Sequence, residues 1–166
     1  MMLIDAPREL MVTLFGSMAL TVGVIMVLFV IAFRSFRLGL AGMMVNLLPV
    51  IYTIGFMAVV GIPADVTTAM VGSVAFGLSV DDTFHYLYHF KKYGSIVQAA
   101  SVAGEGIVAT SFMLAAGLLV LVLSGFIPVV RFGWLTSLAV LTALVIDATV
   151  LPALVGKPSK AIFEMT

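Results

Sequence analysis

FGLSVDDTFHYLYHF, residues 76–90, puts two adjacent aspartates and two histidines inside an otherwise apolar run. Charged groups belong in water, yet their neighbours are the kind that face lipid. Whether this stretch is a soluble loop or the core of a membrane helix decides the fold. The rest of the chain answers for the membrane. Of its 166 residues 63% are hydrophobic and 10% charged, and the mean hydropathy is +1.27. A soluble domain carries about 25% charged residues, and one of this size could not hide so much apolar surface. The composition therefore implies an all-α integral membrane protein.

Crossing roughly 30 Å of hydrocarbon takes about 20 mostly apolar residues. Five spans are expected, at approximately Met11–Phe33, Leu38–Val60, Val66–Phe90, Gly106–Ile127 and Phe132–Val155. Apolar residues run continuously instead of alternating, which argues against a barrel. The connectors RSFRLG, GIPAD, KKYGSIVQAASVAGE and PVVR, with the tail GKPSKAIFEMT, hold most of the charge. Nothing resembles a second domain, a repeat or a low-complexity tract, so residues 1–166 read as one transmembrane domain. Zero net charge gives no sign of a nucleic-acid partner, and the absence of cysteine excludes disulfides and thiolate metal sites. No metal or other cofactor is expected.

Five spans put the termini on opposite sides. One side collects Arg34, Arg37, Lys91, Lys92, Lys157 and Lys160, the other only Arg8 and Arg131. The positive-inside rule then places the C-terminus in the cytoplasm and the N-terminus outside. A chain entering from outside reads as one whose preceding span and external domain are missing, or as a small protein with an exported N-terminus.

The third span carries the chemistry. Asp81 lies 14 residues past Thr67, about 21 Å along a helix rising 1.5 Å per residue. An aspartate near the membrane centre costs roughly 2.5–3.5 kcal/mol on insertion scales. Each acid could rest neutral, because oil disfavours the charged form and each charge opposes its neighbour's. Two such groups can share one proton, or the pair could only lock helices together. Ser73, Gly77, Asp81 and His85 recur every four residues, and Gly77 to His85 span about 80° of the helix, one face. That face is expected to be packed and interior, its small residues letting another helix approach the acid. His85 could pass a proton on or be a satisfied structural histidine. His89, Tyr86, Tyr88 and Phe90 read as an interfacial aromatic belt.

Other polar groups fall at a similar depth. Asp147 lies 15 residues beyond Phe132, matching Asp81 in a span that runs the same way. It could extend a proton path or hydrogen-bond a neighbouring helix. Thr110 and Ser111, about two turns into the fourth span, could serve a carboxyl or bond only their own backbone. Glu105 reads as solvated. Asn46 and Pro49 could mark a locally opened helix, and Asn46 could equally be helix–helix glue. Because no Lys or Arg lies deep in any span, ionised aspartates would need hydroxyls, water, His85 or a helix outside this chain.

GLSVDDTFHYLYHFKK resembles the fourth-helix signature of the resistance–nodulation–division (RND) superfamily, a Gly followed after three residues by paired acids. The histidine, aromatics and basic end resemble its MMPL-type predicted exporters. FRSFRLGLAGMMVNLLP, GIPADVTTAMVGSVAFG and the run from ATSFML to LPALV resemble the flanking helices in the same order, over about residues 8–156. The resemblance implies helices two to six of an RND half-repeat, from the C-terminal half, without its first helix and external porter domain. It implies proton flow coupled to export of lipids or other hydrophobic molecules across the cell (inner) membrane. Asp81 and Asp82 would be the proton-carrying pair, with Thr110 or Ser111 as hydroxyl partners, and Asp147 matches the family's last-helix acid. Membrane lipids, the missing half or other transporter subunits, and further copies of the chain are the partners implied.

Two readings compete. Sterol-sensing domains of Patched-like proteins are similar five-helix bundles, which suggests a lipid-binding or scaffold module without transport. An intramembrane aspartyl hydrolase could draw one acid each from Asp81 and Asp147, but no further protease motif is present, and an enzyme is not expected.

Overall fold

A computed structural model describes residues 2–63 and 65–155, with the backbone alone described at 2–11, 14 and 15. The chain is all-helical: α1 Met2–Phe33, α2 Phe36–Val60, α3 Val66–Tyr93, α4 Ile96–Leu119 with a 3₁₀ turn over Val120–Leu123, and α5 Ile127–Val155. Four of these, Gly16–Phe33 within α1, α2, Ile96–Leu123 and α5, are long and apolar enough to cross a membrane. The fifth, α3, has 28 residues, about 42 Å at 1.5 Å per residue, but its polar stretch lowers its hydropathy. It is held among the others, packed against α1, α2, α4 and α5.

Local signals set the ends of the helices. Asp65 N-caps α3, accepting from the Thr68 backbone at 2.8 Å while the Thr68 hydroxyl accepts from the Asp65 N–H at 2.7 Å, a capping box. Gly94 ends α3 at φ 65°, its N–H donating to the Phe90 carbonyl; this left-handed cap costs glycine no Cβ clash. The chain reverses there at once, so the expected long connector between the third and fourth spans is not one. Its residues from Ile96 onward form the first turns of α4. Ala99, Ala103 and Ile107 recur every four residues and are buried, an apolar stripe that extends the helix. At the other expected irregularity, α2 runs unbroken through Pro49, which is buried. The locally opened helix is therefore corrected to a continuous one.

Short connectors make successive helices antiparallel neighbours, so α3 and α5 run the same way. Arg131 Nη1 beside Asp65 Oδ2 at 3.3 Å ties their N-terminal ends together. At the opposite end Lys91 Nζ donates to the Phe33 carbonyl at 3.1 Å, where α1 leaves a carbonyl without a helical partner. Arg34, Arg37, Lys91 and Lys92 thus share one end. Lys157 and Lys160 lie outside the described residues, as does the side chain of Arg8. α5 is central, packed on α2, α3 and α4. Gly133 makes this fit possible, because a Cβ there would stand 2.6 Å from the Leu118 carbonyl oxygen and 2.7 Å from Leu121 Cβ. The outward surface carries Leu20, Val27, Val59, Val97 and Leu123, all more than half exposed. A bundle apolar on its outside and polar within its helix contacts suits lipid as the solvent.

Candidate functional site

Because side chains leave a helix every 100°, α3 shows polar groups to two different surroundings. Ser79 and Thr83, four residues apart, point into the bundle and are buried, along with Val71, Ala75, Phe76, Tyr86, Leu87 and Phe90. Ser73, Gly77, Asp81 and His85 are exposed. The expectation that this second face is the packed interior one is corrected: among the described residues nothing lies within 4 Å of a Cβ at Gly77. Spacing by four selects a face but not the side on which neighbours lie. Here α2 and α5 cover the Ser79–Thr83 side, leaving the Gly77–Asp81 side open between α1 and α4.

The inner cluster joins three helices. Asn46 of α2, fully buried, has its Oδ1 at 2.7 Å from Ser79 Oγ and 2.8 Å from Thr83 Oγ1. Thr83 Oγ1 is also 2.9 Å from Oδ1 of Asp147 on α5. Asp147 is 4% exposed. Among the described residues Asn46 Nδ2 and Asp147 Oδ2 have no hydrogen-bond partner. Buried polar groups in a dry interior are costly unless bonded, so this chain of contacts is both an anchor and a place of residual polar demand. Asn46 joins α2 to α3, and Asp147 bonds a neighbouring helix. Ser79 and Thr83 were missed from sequence because hydroxyls hardly alter hydropathy. Their spacing of four, offset by two from Asp81, was the available signal.

On the outer side, Asp82 sits half-buried between the two faces, and Ser111 of α4 donates to its Oδ2 at 3.1 Å. Asp81 is open, its Oδ1 3.8 Å from His85 Nε2 one turn on. The Thr110 hydroxyl lies within reach of the Gly106 and Ile107 carbonyls of its own helix, at 3.0 and 3.1 Å, which is backbone bonding and not a contact with a carboxyl. Between α3 and α4 runs a groove of about 850 Å³ lined by Asp81, Asp82, His85 and His89 on one wall and by Ile107, Met113 and other residues of α4 on the facing one. A smaller hollow of about 310 Å³ reaches Asp81 and Gly77 from the α1 side.

The aromatic belt divides. Tyr86 and Phe90 are buried in the core with Phe29, Phe33 and Leu87, a correction that follows from their place on the same covered face as Thr83. Tyr88 is 51% exposed, and His89 stacks on Tyr93 with centroids 5.9 Å apart. Glu105 is exposed. Among the described residues Asp82 and Asp147 form no ion pair, and no group of three or more His, Asp or Glu is placed to hold a metal. Asp81 and Asp147 lie on different sides of α3 instead of facing a common space.

No family model matches the chain, and no solved structure matches it. It is similar to the membrane protein MJ1562 of Methanocaldococcus jannaschii, with 30% identity over 149 residues that cover 84% of this chain. The chain spans 38% of that relative's length. Helices and relative agree on a membrane protein.

Proposed function

We propose that the chain is the transmembrane part of an exporter of lipids or other hydrophobic molecules, driven by the proton-motive force, with its acids as proton carriers. The observation that carries this reading is Asp82. It reaches from an open groove to the Ser111 hydroxyl at 3.1 Å, and among the described residues no cation is paired to it. An acid held in an apolar bundle without a fixed counter-charge is suited to exchanging a proton. Asp81 and His85 stand beside it where a proton could enter or leave, while Asp147 lies across α3. The likeness of GLSVDDTFHYLYHFKK to the RND superfamily, and to its MMPL-type exporters, supports the same reading. So does the gathering of Arg34, Arg37, Lys91 and Lys92 at one end, taken as cytoplasmic under the positive-inside rule. The protein would then lie in the cell (inner) membrane with its N-terminus outside, working with membrane lipids and with a second half, other subunits or further copies of itself.

The test is export of a fluorescent lipid analogue by the intact protein in vesicles energised with a pH gradient. Asp82→Asn and Asp81→Asn are each expected to abolish gradient-driven export while insertion and abundance persist. Normal export by both variants would refute the carrier role.

The groove itself favours a second reading, a sterol-sensing-like module that binds lipid without moving it. Its walls are mostly apolar and its volume, about 850 Å³, falls in the range of small-molecule pockets, roughly 300–1,000 Å³. Saturable photo-crosslinking of a sterol or acyl-chain probe at Met113, undisturbed by Asp82→Asn, would favour this module over the exporter.

A further inference from the structure

The hydroxyl of Thr83 has one proton and two oxygen neighbours, Asn46 Oδ1 at 2.8 Å and Asp147 Oδ1 at 2.9 Å. It can donate to only one of them at a time. The other contact survives only if the bond runs the opposite way. Asn46 Oδ1 cannot donate, and a carboxylate cannot either. This leaves two arrangements in which Thr83 keeps a hydrogen bond to both neighbours.

In the first, Asp147 is protonated and donates to Thr83, which donates to Asn46 Oδ1 alongside Ser79. In the second, Asp147 is a carboxylate and accepts from Thr83. The Thr83 oxygen then offers Asn46 only lone pairs, and so does the amide oxygen facing it. Turning the Asn46 amide about its last side-chain bond replaces that oxygen with Nδ2. Its two N–H groups then match the two hydroxyl oxygens of Thr83 and Ser79 in place of the single acceptor. The oxygen and nitrogen ends of an amide are nearly alike in shape, so the turn needs no helix to move. Among the described residues Nδ2 has no partner in the present orientation, so the turn breaks no bond to them at that end.

We infer that the Asn46 amide turns over when Asp147 gains or loses its proton, with the Thr83 hydroxyl as the link. A proton on α5 thereby sets which end of an amide α2 presents to α3. The inference deepens the carrier reading, on which it rests for Asp147, by giving Asn46, Ser79 and Thr83 positioning roles. Of the groups packed around Asp147, Asp82 of α3 is the one whose charge reaches it. Asp81 and His85 are on the open side of α3, Glu105 of α4 is exposed, and the turn Val120–Leu123 carries no titratable side chain. On α2, Arg37 and Tyr52 are exposed.

Asn46 is the single asparagine in the sequence, so [15N]asparagine labelling of the 166-residue chain in lipid nanodiscs gives one side-chain amide signal. Infrared bands of [13C]aspartate report the carboxyls in the same samples, Asp147 being identified by the band lost in Asp147→Leu. The amide signal is expected to shift with pH in step with Asp147. It should still follow Asp147 in Thr83→Ser, and in Asp82→Ala over a displaced pH range, and stay fixed in Asp147→Leu. In Thr83→Val, Asp147 should still titrate while the amide no longer follows. If Thr83→Val does not fold, Thr83→Ala takes its place, and the contrast between wild type and Asp147→Leu still decides. An amide that stays put while Asp147 titrates overturns the inference alone, as does one that still moves in Asp147→Leu or Thr83→Val. An Asp147 that never changes its proton overturns its carrier role and the inference together.

Discussion

Thr83 and Asp81 are two residues apart on one helix and live in opposite conditions. Thr83 is fully buried and touches polar atoms from two other helices. The side chain of Asp81 is 76% exposed and, among the described residues, pairs with His85, 3.8 Å away on its own helix. The inner set, Ser79, Thr83, Asn46 and Asp147, has most of its hydrogen bonds within the chain. The outer set, Asp81, Asp82 and His85, borrows one hydroxyl from α4 and otherwise faces a groove. Polar groups that find partners inside a membrane bundle hold helices in register. Polar groups left facing an apolar groove do little for the bundle, and what they do must concern something that comes to them. The inner side of α3 should thus be read through stability and the outer side through activity.

The comparison breaks most sharply at Asn46. In Asn46→Leu, Ser79 and Thr83 lose their common acceptor, and each unsatisfied buried group costs about 1–3 kcal/mol. A loss of roughly 2–4 kcal/mol is expected, read as a lowered midpoint of denaturant unfolding in mixed micelles. A variant as stable as the wild type would mean the inner cluster is not an anchor. Thr83→Val keeps the shape and removes one hydroxyl, so about 1–2 kcal/mol should be lost, with most of it restored in Thr83→Ser. On the outer side Ser111→Ala takes one bond from a half-buried carboxyl and should cost about 1 kcal/mol or less. Its larger effect should appear as reduced gradient-driven export. A stability loss as large as that of Asn46→Leu would place Asp82 with the inner set.

The helices could be read from sequence because twenty apolar residues in a row leave the backbone little alternative in oil. Asp81, Asp82 and Asp147 stood out for the same reason, each being an expensive residue in an apolar run. What could not be read is which side of α3 its neighbours occupy. Gly77, Asp81 and His85 form one stripe, and Ser79, Thr83 and Tyr86 lie along another. Both stripes mix small, polar and aromatic residues. Only the positions of α2 and α5 distinguish them, and those depend on contacts far apart in sequence, such as Gly133 against Leu118. The early start of α4 was hidden by Gly104 and Glu105, which suggest a connector, whereas the buried Ala99, Ala103 and Ile107 stripe makes it a helix.

The smallest expected effect on the isolated chain is at Gly77, and it separates the two sides most cleanly. Among the described residues nothing lies within 4 Å of a Cβ built there, and alanine is the better helix former by about 0.8–1.0 kcal/mol in host peptides. Gly77→Ala should therefore leave the 166-residue chain unchanged or slightly more stable. Bulk there matters only if another helix closes over the open side beside Asp81, as the exporter reading requires of a second half or a further copy. Gly77→Leu should then still fold in isolation but lower export in the intact protein, with Gly77→Ala between it and the wild type. If Gly77→Leu left export unchanged, the open side of α3 would face lipid in the working protein. Asp81 would then need a proton path through the groove toward α4 and not through a covering helix.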